Sequence, residues 1–126
     1  ACHDTGQACA LILPHTNTVS MNRFLVELSS VIARGRHVAL VVDNAGWHTA
    51  KELIIPSNIT LIPLPPYSPE LNAMEQVWQW IKSHFLSNQC YANYAAIVDQ
   101  SCYAWNELSK DKELVKSIMH RKWINS

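Results

Sequence analysis

The sequence lacks any long apolar run, and it has no excess of charge of either sign. No apolar stretch approaches the roughly 20 residues of a membrane-spanning helix, and the amino terminus lacks the charged-then-apolar layout of a signal peptide. Ten Lys and Arg residues balance ten Asp and Glu residues, which is not the basic composition of an autonomous nucleic-acid binder. These absences predict an intracellular soluble protein with no membrane partner, in which any contact with nucleic acid is local.

Paired cysteine motifs are absent too. Cys2, Cys9, Cys90 and Cys102 show neither the C-x-x-C spacing of a zinc site nor the density of a secreted disulfide scaffold. We therefore expect reduced and mostly buried thiols.

What the sequence does contain is enough apolar material for one domain. The chain has 126 residues, of which 48% are hydrophobic and 16% charged. This length allows one domain with a substantial core and is too short for two of ordinary size.

The apolar pattern of the first third predicts a strand, a helix and a second strand. The run at 8–13 suits a buried strand. Ser20 is a plausible N-cap for a helix over about 21–34, which Gly35 would stop. A valine-rich strand at 38–43 follows at once. This order predicts a crossover unit in a parallel sheet.

The rest of the chain predicts one more strand and then helices. The run at 58–64 is rich in apolar and β-branched residues, and three prolines between 65 and 69 interrupt regular structure after it. Apolar residues then recur at helical spacing in three groups: Met74, Val77, Trp78, Ile81 and Phe85; Tyr94, Ile97, Val98, Cys102, Trp105 and Leu108; and Leu114, Val115, Ile118 and Met119.

Two acidic residues occupy positions suited to metal binding. Asp43 ends a predicted buried strand, and Glu75 begins a helix after the proline loop. Each also has a structural reading, since Asp43 can cap the following turn and Asn72 with Glu75 matches a capping box. Carboxylates on rigid elements are the ligands that hard divalent cations prefer, so the pair predicts a Mg²⁺ or Mn²⁺ site.

The segments around these acids resemble the DDE transposases of the mariner superfamily, in its bacterial insertion-sequence branch. The family's second acid lies in an Asp-Asn-Ala-x-x-His motif, which matches Asp43, Asn44, Ala45 and His48. Its third acid ends a Pro-Tyr-Ser-Pro-x-Leu-Asn-x-x-Glu motif, which matches Pro66, Tyr67, Ser68, Pro69, Leu71, Asn72 and Glu75.

The resemblance implies an α/β ribonuclease-H-like fold, with a mixed sheet and flanking helices, in which Asp43 and Glu75 are catalytic metal ligands. It implies metal-dependent cleavage of DNA at transposon ends and transfer of the strands to a target, in the bacterial cytoplasm. Hydroxyls of water and then of DNA 3′ ends would attack the phosphodiesters, with no covalent enzyme intermediate.

The chain departs from the family at its amino terminus. The first catalytic aspartate is expected two strands before 8–13, so residues 1–126 are interpreted as a partial, N-terminally truncated catalytic domain that also lacks the helix-turn-helix region. Asp4 lies in a predicted turn at 4–6 and is not expected to replace that acid. We expect no cleavage by this chain alone, and we expect a homodimer or strand-exchanged oligomer that covers the edges left by the missing strand.

Four further residues are candidates for DNA binding: Asn44, Trp47, His48 and Lys82. His48 could equally be a local hydrogen-bonding group, Trp47 could pack against its loop, and Lys82 could be a solvated lysine two helical turns after Glu75. A basic cluster near the carboxyl end is interpreted as a solvated helix face; it comprises Lys110, Lys112, Lys116, Arg121 and Lys122.

Two alternatives to an active transposase stay open at this point. One is a non-catalytic remnant or half-protein that acts in oligomerisation or complements an upstream polypeptide. The other is a different metal-dependent nuclease of the same fold.

Overall fold

A computed structural model describes residues 1–48, 50–87 and 89–120, with the side chain of Trp47 excepted. The chain divides into two compact units. Residues 11–72 form the first, called here the strand unit, and residues 1–10 together with the chain from 73 onward form the second, called the helical unit.

The strand unit begins with helix α1, Thr18–Val31. Its N-cap is Asn17, whose side chain accepts a hydrogen bond of 2.9 Å from the backbone N–H of Ser20. The predicted helix therefore starts three residues early, because Asn17 caps it in place of Ser20. It ends at Val31, and Gly35 lies beyond it in a turn with a left-handed φ of +77°.

Two parallel strands form the described sheet: β1, Val38–Val42, and β2, Ile59–Pro63. Both predicted strands are confirmed, with ends that differ by one residue. The ladder continues past β2, since the N–H of Leu64 donates to the carbonyl of Val42 at 2.8 Å. This backbone hydrogen bond fixes Val42, the last residue of β1.

The predicted strand at 8–13 is wrong, because these residues adopt no regular structure. An apolar run becomes a strand only where a neighbouring strand satisfies its backbone groups, and the sheet in the described residues has the order β1-β2 alone. The predicted crossover between 8–13 and β1 is therefore absent from the described chain. The parallel pairing is instead between β1 and β2, whose connection contains a 3-10 turn at Gly46–His48.

Helix α1 covers one face of this small sheet. The buried residues of the strand unit form one cluster: Met21, Leu25, Val42 and Ile59. On the opposite face Val41 and Ile62 are register partners and are 39% and 45% exposed. Parallel sheets are usually covered on both faces, so this apolar pair is unusual for a finished sheet.

The helical unit contains three helices and a π-helical segment. These are α2, Met74–Ile81, which continues directly into the π segment Lys82–Leu86, then α3, Tyr94–Lys110, and α4, Lys112–Met119. Asn93 caps α3 and Asp111 caps α4. Their shared core comprises Ala73, Val77, Ile81, Ala104, Leu108, Val115 and Met119.

The predicted apolar face of α4 is confirmed, and that of α2 is confirmed except for Trp78, which is 43% exposed. The predicted face of α3 is wrong in part. Tyr94 and Ile97 are 67% and 43% exposed, and Cys102 is exposed as well. The buried positions of α3 are Ala104 and Leu108. A small alanine lets neighbouring helices approach, and a pattern of large apolar residues overlooks it.

The cysteines are all free, as predicted, but they are not mostly buried. Cys2, Cys90 and Cys102 are exposed and Cys9 is intermediate. Cys102 lies on the exposed side of α3, and Cys90 lies in the segment before that helix.

Gly6 fits tightly against the start of α4. The predicted turn is present, with hydrogen bonds from Cys2 N–H to the Gln7 carbonyl and from Gly6 N–H to the Cys2 carbonyl. Gly6 has a φ of +71°, and a Cβ at this position would lie 2.1 Å from the carbonyl oxygen of Lys112. Only glycine suits both the backbone conformation and the space.

Within the described residues, no helix combines the length and the apolar character needed to cross a membrane.

Candidate active site

Asp43 directly follows the last residue of β1, and its side chain is 57% exposed. Carboxylate oxygen Oδ1 accepts a hydrogen bond of 3.2 Å from the N–H of Ala45. The turn-capping reading is therefore confirmed. It does not compete with metal binding, because Oδ2 makes no hydrogen bond with the described residues.

His48 is the closest side-chain partner of Asp43. Its Nδ1 lies 2.7 Å from Oδ1 of Asp43 and 3.1 Å from the carbonyl oxygen of the same residue. The His48 side chain is only 10% exposed. The local hydrogen-bonding reading thus describes its contacts, and contact with DNA stays a prediction.

The 3-10 turn at Gly46–His48 brings the ring to this place. The N–H of His48 donates to the carbonyl of Ala45 at 2.9 Å, and α1 packs against the turn. Asn22 of α1 also secures the chain that follows, since its Oδ1 accepts from Ile54 N–H at 2.8 Å and its Nδ2 donates to the Glu52 carbonyl at 3.2 Å. Asp43 is thereby flanked by a sheet and by a supported loop.

Glu75 lies in the first turn of α2 and is exposed. Its side chain makes no hydrogen bond or ion pair with the described residues. The N-cap of α2 is Ala73, one residue later than the predicted cap Asn72, and the side chain of this N-cap residue makes no capping hydrogen bond. A carboxylate near a helix amino terminus is favoured by the helix dipole, and Glu75 keeps both oxygens available for a ligand.

The proline loop before α2 contains one unusual backbone conformation. Tyr67 has a φ of +58° and a fully exposed ring. Next to it, the hydroxyl of Ser68 donates to the carbonyl of Pro66 at 3.3 Å, and a 3-10 turn follows at Pro69–Leu71. The segment that leads to Glu75 is therefore a series of tight turns, and it interrupts regular structure between β2 and α2, as the prolines predicted.

The two acids belong to different units, Asp43 to the strand unit and Glu75 to the helical unit. No group of three or more His, Cys, Asp and Glu side chains among the described residues could hold a metal ion. The donor chemistry still suits a hard divalent cation, because each acid offers at least one carboxylate oxygen that the described residues leave without a hydrogen bond.

The remaining DNA-binding candidates are Asn44, Lys82 and Trp47. Asn44 is exposed, and Lys82 is exposed at the first position of the π segment. Trp47 has its backbone in the 3-10 turn, and its side chain lies outside the described part.

Two lysines of the basic cluster near the carboxyl end, Lys110 and Lys116, form ion pairs within their own helices. Lys110 binds Glu107, a hydrogen bond that raises the pKa of the lysine, and Lys116 binds Glu113 at 3.1 Å. Arg121 and Lys122 lie outside the described residues.

Comparison with known proteins identifies the family to which the chain belongs. Residues 1–98 match the family model described as DDE superfamily endonuclease. The chain therefore belongs to the DDE superfamily of endonucleases. Membership implies DNA as the substrate, and divalent metals are typical of the superfamily.

A relative in Sinorhizobium fredii (strain NBRC 101917 / NGR234) is the uncharacterized protein y4pE/y4sA. It is 41% identical over 124 residues, which is 98% of this chain and 92% of the relative. No solved structure matches the chain.

Proposed function

We propose that this chain is part of a DDE transposase of the mariner superfamily, in its bacterial insertion-sequence branch. The protein would cleave DNA at transposon ends and transfer the strands to a target in the bacterial cytoplasm. The observation that carries the proposal is the position of Asp43 in a DDE endonuclease chain. It follows the carboxyl end of a parallel strand, where α/β proteins commonly place ligands, with Oδ1 fixed and Oδ2 open.

In this proposal Asp43 and Glu75 hold Mg²⁺ or Mn²⁺. The metal would help to activate the attacking hydroxyl and to stabilise the leaving oxygen of the phosphodiester. The protein's own contribution is to hold the two carboxylates: Asp43 through its turn, and Glu75 through the first turn of α2. Asn44, Trp47, His48 and Lys82 are proposed to lie near the DNA backbone or bases.

We also propose that residues 1–126 are the later part of a ribonuclease-H-like catalytic domain. The first acid would lie on an upstream strand, together with a helix-turn-helix region before it. Two observations support this: the apolar run at 8–13 pairs with no strand among the described residues, and the sheet of these residues contains two strands. An upstream strand would give 8–13 a partner and complete the sheet.

The same reasoning favours an oligomer when the chain is isolated. Unpaired strand edges and the exposed pair Val41 and Ile62 are costly to leave in water. A second copy, as a homodimer or by strand exchange, would cover them. Light scattering should show an oligomer at micromolar concentration, and a stable, well-folded monomer would contradict this part of the proposal.

The decisive experiment compares the chain with an extended version. Residues 1–126 alone should bind divalent metal weakly and should not nick DNA, because two carboxylates are fewer than the site needs. Addition of the upstream strands should produce Mg²⁺-dependent nicking of transposon-end DNA. Robust metal-dependent cleavage by residues 1–126 alone would overturn the proposal.

A second candidate is a non-catalytic half-protein that acts in oligomerisation or complementation. The y4pE/y4sA relative favours it, because the alignment covers 92% of that protein, so a chain of nearly this extent occurs there. Mixing the chain with a separate upstream polypeptide tests this candidate. Nicking by the mixture, with none by either part, would identify a complementing half.

A further inference from the structure

The hydrogen-bond geometry shows which nitrogen of the His48 ring carries a hydrogen. Nδ1 faces two oxygens of Asp43, Oδ1 at 2.7 Å and the backbone carbonyl oxygen at 3.1 Å. A carbonyl and an ionised carboxylate can only accept hydrogen bonds. Nδ1 therefore carries the hydrogen and donates it to the backbone carbonyl of Asp43, with Oδ1 in ion-pair contact beside it.

The ring itself has little freedom to move. The His48 side chain is 10% exposed, its backbone N–H is bound to the carbonyl of Ala45, and α1 packs on the turn that contains it. On the other side of Asp43, Leu64 binds the carbonyl of Val42. The His48 ring and the backbone of Asp43 are thus both fixed before any ligand binds.

The consequence is a carboxylate with two unequal oxygens. Oδ1 receives a hydrogen bond from Ala45 N–H and lies in ion-pair contact with His48 Nδ1 at 2.7 Å, whereas Oδ2 has no hydrogen-bond partner among the described residues. The hydrogen bond from Ala45 and the close imidazole together favour one rotation of the side chain. Hydrogen bonds to a ligating carboxylate orient it and tune its binding of metal.

We infer that His48 is a positioning residue for Asp43: its ring, which is hydrogen-bonded to the backbone carbonyl of Asp43 and lies 2.7 Å from Oδ1, holds the carboxylate so that Oδ2 is left for a divalent cation. The inference rests on the proposed function, because it assigns Asp43 to the metal. It gives His48 a role toward Asp43 that does not depend on the proposed contact with DNA.

Amide variants test the inference because they place a donor at different points of the ring. An Asn side chain carries its N–H₂ near the position of Nδ1, and a Gln side chain carries it near Nε2. His48→Asn should therefore preserve the bond to Asp43, and His48→Gln should lose it. His48→Ala removes the donor altogether, and His37→Ala is a matched control that removes another imidazole hydrogen bond of the strand unit, that to Thr60.

Two measurements are made on residues 1–126 in solution. Three-bond couplings report whether the Asp43 side chain occupies one χ1 rotamer. Titration with Mn²⁺ alone, followed by broadening of the amide signals of residues 43–45, reports metal affinity at that carboxylate. The unaltered chain, His48→Asn and His37→Ala should show one rotamer and similar affinity.

His48→Gln and His48→Ala should show rotamer averaging and an increase of about 10-fold or more in the Mn²⁺ dissociation constant. A single Asp43 rotamer and unchanged affinity in His48→Gln would overturn the inference, even if His48→Ala failed to fold. Absence of Mn²⁺ broadening around Asp43 in the unaltered chain would overturn the proposed function instead, while the couplings would still decide whether His48 orients the carboxylate.

Discussion

The strand unit and the helical unit differ in the size of their buried cores. In the helical unit, seven buried residues from α2, α3, α4 and the residue before α2 form one core. In the strand unit, four buried residues lie between one helix and a sheet of two strands. A sheet of two strands is marginal by itself. The unit that holds Asp43 is thus the one with less internal support.

Because of this difference, the interactions that stabilise the chain are largely distinct from those that position the acidic side chains. The helical unit depends on side-chain packing, and Glu75 is an exposed addition to a helix whose other face is buried. The strand unit places Asp43 through hydrogen bonds, namely those of Leu64, Ala45 and His48. Substitutions can therefore damage one property and leave the other intact.

The largest expected effect is on catalysis by the extended enzyme. Asp43→Asn and Glu75→Gln should each reduce nicking by more than the roughly 10- to 100-fold that loss of an outer partner of a metal ligand costs. Thermal stability should change little, because both side chains are exposed. The measurement is Mg²⁺-dependent nicking of transposon-end DNA, with a melting curve for each variant.

Glu70→Gln is the matched control for these acids, since Glu70 is an exposed carboxylate in the 3-10 turn before α2. It should leave the nicking rate unchanged. An extended enzyme that is indifferent to both Asp43→Asn and Glu75→Gln would contradict the roles assigned to the two units.

The next largest effect is on stability, at the glycines. Gly6→Ala should lower the free energy of unfolding by about 2–5 kcal/mol, because it combines a left-handed φ with a clash against backbone. Gly35→Ala has the left-handed φ but open space, so about 1–2 kcal/mol is expected. Gly46→Ala has open space and no left-handed φ, so it should have little effect.

Denaturant unfolding of the three variants measures this order. Gly35→Ala measures the cost of backbone strain alone, in the strand unit. Gly6→Ala adds the cost of the clash with Lys112, in the helical unit. Equal losses for Gly6→Ala and Gly35→Ala would mean that the contact with Lys112 contributes nothing.

A smaller effect is expected at the proline loop. Replacement of Pro66 and Pro69 by glycine frees the backbone before Glu75, and misplacement of a catalytic group by about 1 Å can cost up to about 100-fold in rate. The free energy of unfolding should fall by only about 1–2 kcal/mol. In the extended enzyme, nicking should thus be damaged more than folding; a double variant with the normal rate would refute the positioning role of the loop.

The smallest effect is expected at the helix caps, one in each unit. Asn17 and Asn93 each accept a hydrogen bond of 2.9 Å from the third helical N–H, so each alanine substitution should cost about 1 kcal/mol. Hydrogen exchange should show the loss in α1 for Asn17→Ala and in α3 for Asn93→Ala. Asp at either position keeps the acceptor and should restore protection.

Local pattern predicted those elements whose stabilising contacts are encoded nearby. The β-branched runs of β1 and β2 and the apolar spacing of α4 were all assigned correctly. The start of α1 was misplaced because Asn17 and Ser20 are both good caps and only one can begin the helix. The break in regular structure before Glu75 was predicted by the prolines, whereas the left-handed φ of Tyr67 had no signal in the pattern.

Features that depend on distant partners could not be predicted in this way. The run at 8–13 has strand composition, but it forms a strand only beside another strand. The bond between Asp43 and His48 requires a 3-10 turn that rotates the ring back toward the end of β1. Its only advance signal was the fixed Asp-Asn-Ala-x-x-His spacing, which does not reveal which atoms meet.

The π segment Lys82–Leu86 matters for how lineages of this chain can be compared. A π turn contains one more residue than an α turn of the same helix, so the segment is equivalent to a one-residue insertion after Ile81. Phe85 and Leu86 still pack against the core, and the insertion is therefore absorbed locally. A gap placed at 82–86 leaves the register of α2 unchanged, whereas a gap earlier in α2 would rotate Val77 out of the core. Length changes in the history of this helix are thus expected to accumulate here.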